Sequence, residues 1–177
     1  MTSRNVELKA RCQDLAQAME VAGSLGAVDA DRLEQLDTYF QCGDGRLKLR
    51  EISSREAGES AELIWYARAD DESARTSRYL VLDVPHPAAV RDSLDTGLGT
   101  RVVVRKTRQL FLWENVRIHL DDVDDLGCFL EFEAVLEAGQ NEEDGFGQLV
   151  TLREQFTITD EDIVGGSYSD LLEQLPG

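Results

Sequence analysis

Charge in this sequence falls on alternate residues. Glu7, Lys9 and Arg11 share one side of an opening stretch whose other side is Val6, Leu8 and Ala10. The pattern returns in Arg46-Leu47-Lys48-Leu49-Arg50, in Lys106 and Arg108, in Arg117, His119 and Asp121, and in Glu131 and Glu133. Successive side chains of a β-strand point to opposite faces, so each set is one strand face that carries only charge. Lysine and arginine suit phosphate oxygens, one as a compact point charge and the other as a planar fork. Neighbouring carboxylates suit a hard divalent cation, Mg²⁺ or Mn²⁺, which bridges them to phosphates. The chemistry on offer is the holding of a polyanion. The chain has 15 arginines but only three lysines, Lys9, Lys48 and Lys106, each inside one of these strand-like stretches.

The elements that must position these residues follow from pattern and punctuation. Strands are expected over 4–12, 34–42, 46–50, 62–68, 77–84 and 101–108. A hairpin over 110–121 turns at Glu114-Asn115, and a last strand covers 128–135. Gly43-Asp44-Gly45 is a hairpin turn rather than a phosphate loop, because no helix follows it. Residues 53–60 read as polar loop. Helices are expected over 15–26, capped by Asp14 and stopped by Gly26, then over 88–97, 142–156 and 169–175. This is an α+β fold with about eight strands, mostly antiparallel, and few helices.

Composition narrows the function. With 177 residues, 42% of them hydrophobic, the chain suits one domain spanning residues 1–177. It has no apolar run of membrane-spanning length, and its start lacks the apolar segment of a secretion signal, which predicts a cytoplasmic protein. Cys12, Cys42 and Cys128 lack metal-type spacing and are expected as free thiols. A net charge of −17 argues against a broad nucleic-acid or membrane surface but not against a local anion site. Like charges side by side, as in Arg46, Lys48 and Arg50, gain nothing on a flat sheet. Closing the strands into a barrel with the charges inward gives a cavity with basic and acidic walls. An ordinary half-exposed sheet with a salt-bridged outer face fits the same alternation, and periodicity leaves both open.

Six short motifs occur in order: Val6-Glu7-Leu8-Lys9-Ala10; Asp37-Thr38-Tyr39-Phe40; Gly45-Arg46-Leu47-Lys48-Leu49-Arg50; Arg117-Ile118-His119-Leu120-Asp121; Leu126-Gly127, Phe129, Glu131 and Glu133; and Gly166-Ser167-Tyr168, Asp170-Leu171-Leu172. The ordered set resembles the CYTH superfamily, the triphosphate tunnel metalloenzymes, from about residue 4 to residue 173. That superfamily includes class IV adenylyl cyclases and thiamine or inorganic triphosphatases. The resemblance implies an eight-stranded antiparallel closed β-barrel, a tunnel, with flanking helices. It also implies Mg²⁺ or Mn²⁺ and a small triphosphate substrate: ATP, thiamine triphosphate or tripolyphosphate. Carried over by position, Glu7, Asp121, Glu131 and Glu133 are the expected metal ligands. Lys9, Arg11, Lys48, Arg50, Arg68, Lys106, Arg108 and Arg117 are the expected phosphate contacts, with Lys9, Lys48 and Arg117 as catalytic residues. The family's opening Glu-x-Glu-x-Lys lands on Asn5-Val6-Glu7-Leu8-Lys9, so the first acid is an amide here.

Other residues read more plainly. His119 is weighed as a general base or as a wall residue bonded to a carboxylate, and its charged neighbours favour the wall. His86 lies in a proline-flanked loop, Tyr39 and Phe40 read as packing, and Asp122, Asp124 and Asp125 as a solvated turn. Three functions follow. The first is an enzyme acting on a triphosphate: a cyclase converting ATP to cyclic AMP and pyrophosphate, or a triphosphatase. The second is a non-catalytic nucleotide or polyphosphate binder. The third is an acidic interaction protein that uses only its outer surface. No nucleic-acid or membrane partner is expected, and exposed strand or helix faces leave room for a homodimer.

Overall fold

The computed structural model describes residues 4–67, 78–136 and 141–175. In chain order these form β1 (Arg4–Arg11), α1 (Leu15–Ser24), β2 (Val28–Phe40), β3 (Arg46–Ser54), β4 (Gly58–Ala67) and β5 (Arg78–Asp83). Then come α2 (Pro87–Leu98), β6 (Thr100–Trp113), β7 (Val116–Val123), β8 (Gly127–Leu136), α3 (Glu142–Gln155), one 3₁₀ turn (Asp160–Asp162) and α4 (Tyr168–Glu173). The eight strands make one antiparallel sheet in the order β1-β8-β7-β6-β2-β3-β4-β5.

Local chemistry sets the ends. Asp14 accepts from the Gln17 amide at 3.0 Å and starts α1. Pro87 opens α2, and reciprocal capping boxes start α3 (Asn141 with Asp144) and α4 (Ser167 with Asp170). The β2–β3 turn needs Gly45: its φ is +69°, and a Cβ there would lie 2.6 Å from the Tyr66 carbonyl oxygen. Gly145 serves packing instead. A Cβ there would meet Leu136 at 3.0 Å and Val6 at 3.2 Å, so glycine lets α3 lie close on the sheet.

One face of the sheet takes the apolar members of each alternation. Val6, Ala10, Ile118, Leu120, Leu130 and Phe132 pack under α1 and α3. Phe40, Leu49 and Ala61 pack under α2 with Val90 and Leu94. The other face is concave and carries the charges. Its far end is filled by α4, whose Tyr168 packs with Tyr39, Val104, Val123 and Phe129. The curl is visible in Tyr168 itself. The ammonium groups of Lys9 on β1 and Lys106 on β6 lie 4.2 and 4.9 Å from its ring centre. Three strand spacings on a flat sheet would hold β1 and β6 about 14 Å apart.

Three expectations need correction. Closure of the sheet into a barrel is not seen among the described residues, where β5 pairs only with β4 and β1 only with β8. The free edge of β1 is taken by the approach to α4, where the Val164 amide donates to the Lys9 carbonyl at 2.9 Å and Ala10 bridges Ile163. Next, β2 begins at Val28, well before residue 34, because its first half pairs with the distant β6 while its own side chains stay largely exposed. Finally, 101–108 and 110–114 are one strand, and most of 53–60 belongs to the β3–β4 hairpin.

Candidate functional site

Register decides which side chains share the concave face. Asp37 on β2 lies opposite Arg50 on β3, and Tyr39 opposite Lys48. Arg108 on β6 lies opposite Asp121 on β7, and Glu131 on β8 lies between His119 on β7 and Lys9 on β1. Glu7 faces Glu133, which faces Arg117 in turn. Lys9, Arg11, Lys48, Arg50, Lys106, Arg108, Arg117, Glu7, Asp121, Glu131 and Glu133 therefore all lie on one face. Arg68 lies outside the described residues.

At the centre are two matching clusters. Asp37 accepts from Lys48 Nζ at 2.8 Å and from Arg50 Nε and Nη2 at 2.7 Å. Asp121 accepts from Lys106 Nζ at 3.0 Å, from Arg108 Nε and Nη2 at 2.6 Å, and from the Tyr168 hydroxyl at 2.9 Å. Each cluster is a Lys-x-Arg pair on one strand clamped by an aspartate on its neighbour. All six side chains are buried or nearly so. Four bases against two acids leave formal positive charge in the middle of a chain whose net charge is −17. Removing charges from water is costly, so a buried excess of one sign needs partners on the spot.

The titration behaviour follows from this crowding. Burial alone would raise the Asp37 carboxyl, but Arg50 and Lys48 outweigh it and hold it well below the usual carboxylate range. Asp121 is held low in the same way by Arg108 and Lys106. Burial, reinforced by Arg50, brings Lys48 down to about 7 against the pull of Asp37. Burial and Arg108 bring Lys106 down to about 8. Glu131 stays low despite its burial because Lys9 lies beside it and Arg108 Nη2 donates to it at 2.8 Å. Burial and Arg108 lower His119, whose Nδ1 stands 3.7 Å from Glu131, beyond hydrogen-bond reach.

The carboxylates divide into two kinds. Asp121 accepts four hydrogen bonds, about the full capacity of a carboxylate, so a cation there would have to displace one of those donors. Glu7, Glu131 and Glu133 lie nearer the mouth. Glu133 accepts from the Asn5 amide and, at 3.2 Å, from Arg117. Like charges placed opposite each other across strands, as Glu7 and Glu133 are, repel unless something positive lies between them. Their oxygens suit a hard cation in kind. Among the described residues, no three acidic, histidine or cysteine side chains gather around one point. A cation held there would complete its shell from phosphate oxygens and water, as Mg²⁺ commonly does.

Three contributors were not picked out as site residues from the sequence: Asp37, Tyr168 and Gln35. Asp37 could have been found by counting across the Gly43–Gly45 turn, which sets it against Arg50. Tyr168 lies in the Gly166-Ser167-Tyr168 motif, which gives no hint of its reach to Asp121, and Gln35 carries no local signal. Elsewhere, a cleft of about 390 Å³ between α2 and the apolar face is lined by Arg91, Asp92, Asp95 and Arg105 with Thr38 and Thr100, and gathers no comparable set of charges.

The fold is thus an antiparallel sheet curled around clamped Lys-x-Arg pairs, with carboxylates towards its mouth. Residues 3–168 match the CYTH domain, and the chain belongs to that family. A protein of Methanocaldococcus jannaschii, provisionally named an adenylate cyclase, is 22% identical over 170 residues, 94% of this chain and 97% of that one. Among solved structures, one Pyrococcus horikoshii protein superposes with a TM-score of 0.81 at 21% identity, covering 96% of this chain and 98% of its own. A Hippeastrum protein, provisionally called an adenylyl cyclase and described as having a dominant triphosphatase activity, superposes with a TM-score of 0.67 at 14% identity, covering 96% and 95%. At such identities the superpositions establish the fold. No helix among the described residues is long and apolar enough to cross a membrane.

Proposed function

We propose that the protein is a cytoplasmic, metal-dependent enzyme that acts on a triphosphate bound on the concave face. The pair of buried Lys-x-Arg clusters, side by side on the neighbouring strand pairs β2–β3 and β6–β7, carries this reading. Lys48 with Arg50 and Lys106 with Arg108 grip phosphate oxygens from two sides, while Asp37 and Asp121 hold the bases in place beforehand. Such preorganisation places charge where it is needed without reorganisation during reaction. Lys9, Arg11 and the more exposed Arg117 reach the phosphates from β1 and β7. Lys9, Lys48 and Arg117 are the bases we assign to the charge that develops at the reacting phosphorus. Glu7, Glu131 and Glu133 would hold Mg²⁺ or Mn²⁺, which when bound neutralises phosphate charge and lowers the pKa of an attacking hydroxyl or water. Asp121 then organises Lys106 and Arg108.

Two reactions use this arrangement. In a cyclase the ribose 3′-oxygen of ATP attacks the α-phosphorus, the bond to the bridging oxygen of pyrophosphate breaks, and the hydroxyl proton passes to solvent. The name of the archaeal relative supports this reading. In a triphosphatase water attacks the terminal phosphorus and the diphosphate leaves. The closure of one end of the concavity by α4 supports hydrolysis, as does the activity described for the Hippeastrum protein. Incubation with ATP and Mn²⁺ or Mg²⁺ separates them: cyclic AMP and pyrophosphate from the first, ADP and phosphate from the second. Failure to turn over ATP, thiamine triphosphate and tripolyphosphate with either metal would overturn the enzymatic reading and leave a binder.

A further inference from the structure

Above the charged layer, towards the mouth, the concave face changes character on one wall only. On β1, β7 and β8 it stays charged, with Glu7, Glu133 and Arg117. On β2, β3 and β6 it becomes apolar. Ile52 and Leu110 point the same way as Arg50 and Arg108 one alternation further along their strands, and Leu33 the same way as Asp37 two alternations along, beyond Gln35. All three are half-buried, and none belongs to the three buried apolar clusters of the sheet. Gln35 sits among them, directly opposite Ile52 on one side and Lys106 on the other. It is only 6% exposed, and its side-chain carbonyl oxygen is buried without a hydrogen-bond partner. A buried acceptor left unpaired costs roughly 1–3 kcal/mol. Such an acceptor beside a site full of donors is a specific mismatch. Ionised phosphate oxygens bring only further acceptors and cannot satisfy it. A ligand group that carries N–H or O–H can.

Resting on the triphosphate reading, we infer that the substrate is an organic triphosphate rather than an inorganic one. Its head group lies on Leu33, Ile52 and Leu110 and donates a hydrogen bond to Gln35 Oε1. The chemistry asked for is a flat, largely apolar ring with an amino or hydroxyl donor, attached to the phosphates on the mouth side. Small-molecule sites combine apolar lining with a few placed polar groups in this manner. The wall is one-sided, so the opposite face of the ring lies towards the charged strands and water.

The test is calorimetric titration of the whole protein, in Mg²⁺, with tripolyphosphate, ATP, GTP and thiamine triphosphate, repeated with Gln35→Leu and Ile52→Ala. At least one organic triphosphate is expected to bind about tenfold or more tighter than tripolyphosphate. Each variant is expected to cut that ratio by about three- to tenfold, the size of one hydrogen bond or one apolar contact. Ile52 is half-exposed, so its variant keeps the test open if Gln35→Leu does not fold. Tripolyphosphate binding as tightly as every organic triphosphate would overturn the inference while leaving the triphosphate site standing. So would equal losses for inorganic and organic ligands in both variants. Binding of none of the four would overturn the functional reading itself.

Discussion

Asp37→Asn tests the central clamp. The substitution keeps the shape of the side chain and removes its charge. Wild-type Asp37 accepts three charge-assisted hydrogen bonds from Lys48 and Arg50, with its side chain only 5% exposed. Breaking a buried pair by removing one partner costs about 3–5 kcal/mol, because the other charge stays buried and uncompensated. For a domain of this size each kcal/mol moves the melting temperature by about 2–4 °C, so a fall of roughly 6–20 °C is expected. A surface pair sets the scale. Arg153 and Asp160 are 2.6 Å apart, but Asp160 is 91% exposed, and Asp160→Asn should cost about 0.5 kcal/mol or less. The second arm is ligand rescue. If Asp37 stands in for phosphate when none is bound, tripolyphosphate should raise the melting temperature of Asp37→Asn by more than it raises wild type. Thermal unfolding by circular dichroism at neutral pH, with and without tripolyphosphate and Mg²⁺, measures both. A variant within about 1 kcal/mol of wild type, or one stabilised no more than wild type by the ligand, would refute the reasoning.

Three further outcomes follow. Lys9 is half-buried, donating to the Gly166 carbonyl at 3.3 Å and lying over Tyr168, so Lys9→Ala should fold and yet lose about 10²–10³ in kcat, as when one preorganised charge donor is removed; an unchanged rate would exclude Lys9 from the reaction. Asn5→Glu places a second acid beside Glu133 and should tighten Mn²⁺ binding about tenfold in titration; a weaker or unchanged affinity would mean that Asn5 is not at a cation site. Lys48 near 7 and Lys106 near 8 lie below their unfolded value, and an anion against them pushes both back up. Binding at pH 8 should therefore take up about one proton, read from the buffer dependence of the binding heat, and binding without uptake would contradict the buried geometry. The same two lysines fix a sign for stability. Between their lowered values and about 10.4 the unfolded chain binds more protons than the folded one, so their contribution to stability rises with pH across that window.

Much of the concave face was legible because strand alternation is a local signal. A period of two puts Lys48 and Arg50, or Glu131 and Glu133, on one side whatever the strand pairs with. The β2–β3 turn also fixes register, which is why Asp37 against Arg50 lay within reach of counting. What escaped depends on distant chain. What lies against the edge of β1, the Ile163–Val164 segment, is settled by chain far away in sequence, so that contact was not visible. Tyr168 reaches Asp121 across 47 positions, and only the curl of the sheet brings it beside Lys9 and Lys106. The first half of β2, before residue 34, carries no local strand signal because Asp29, Asp31 and Arg32 break the apolar pattern on a strand whose partner is β6.

The most direct test is a crystal structure with a non-hydrolysable ATP analogue and Mn²⁺. The phosphates are expected between Lys48 with Arg50 and Lys106 with Arg108, with the anomalous signal of Mn²⁺ next to Glu7, Glu131 or Glu133. Phosphates bound on the helix-covered face, or an analogue that leaves the concave face to solvent, would contradict the account.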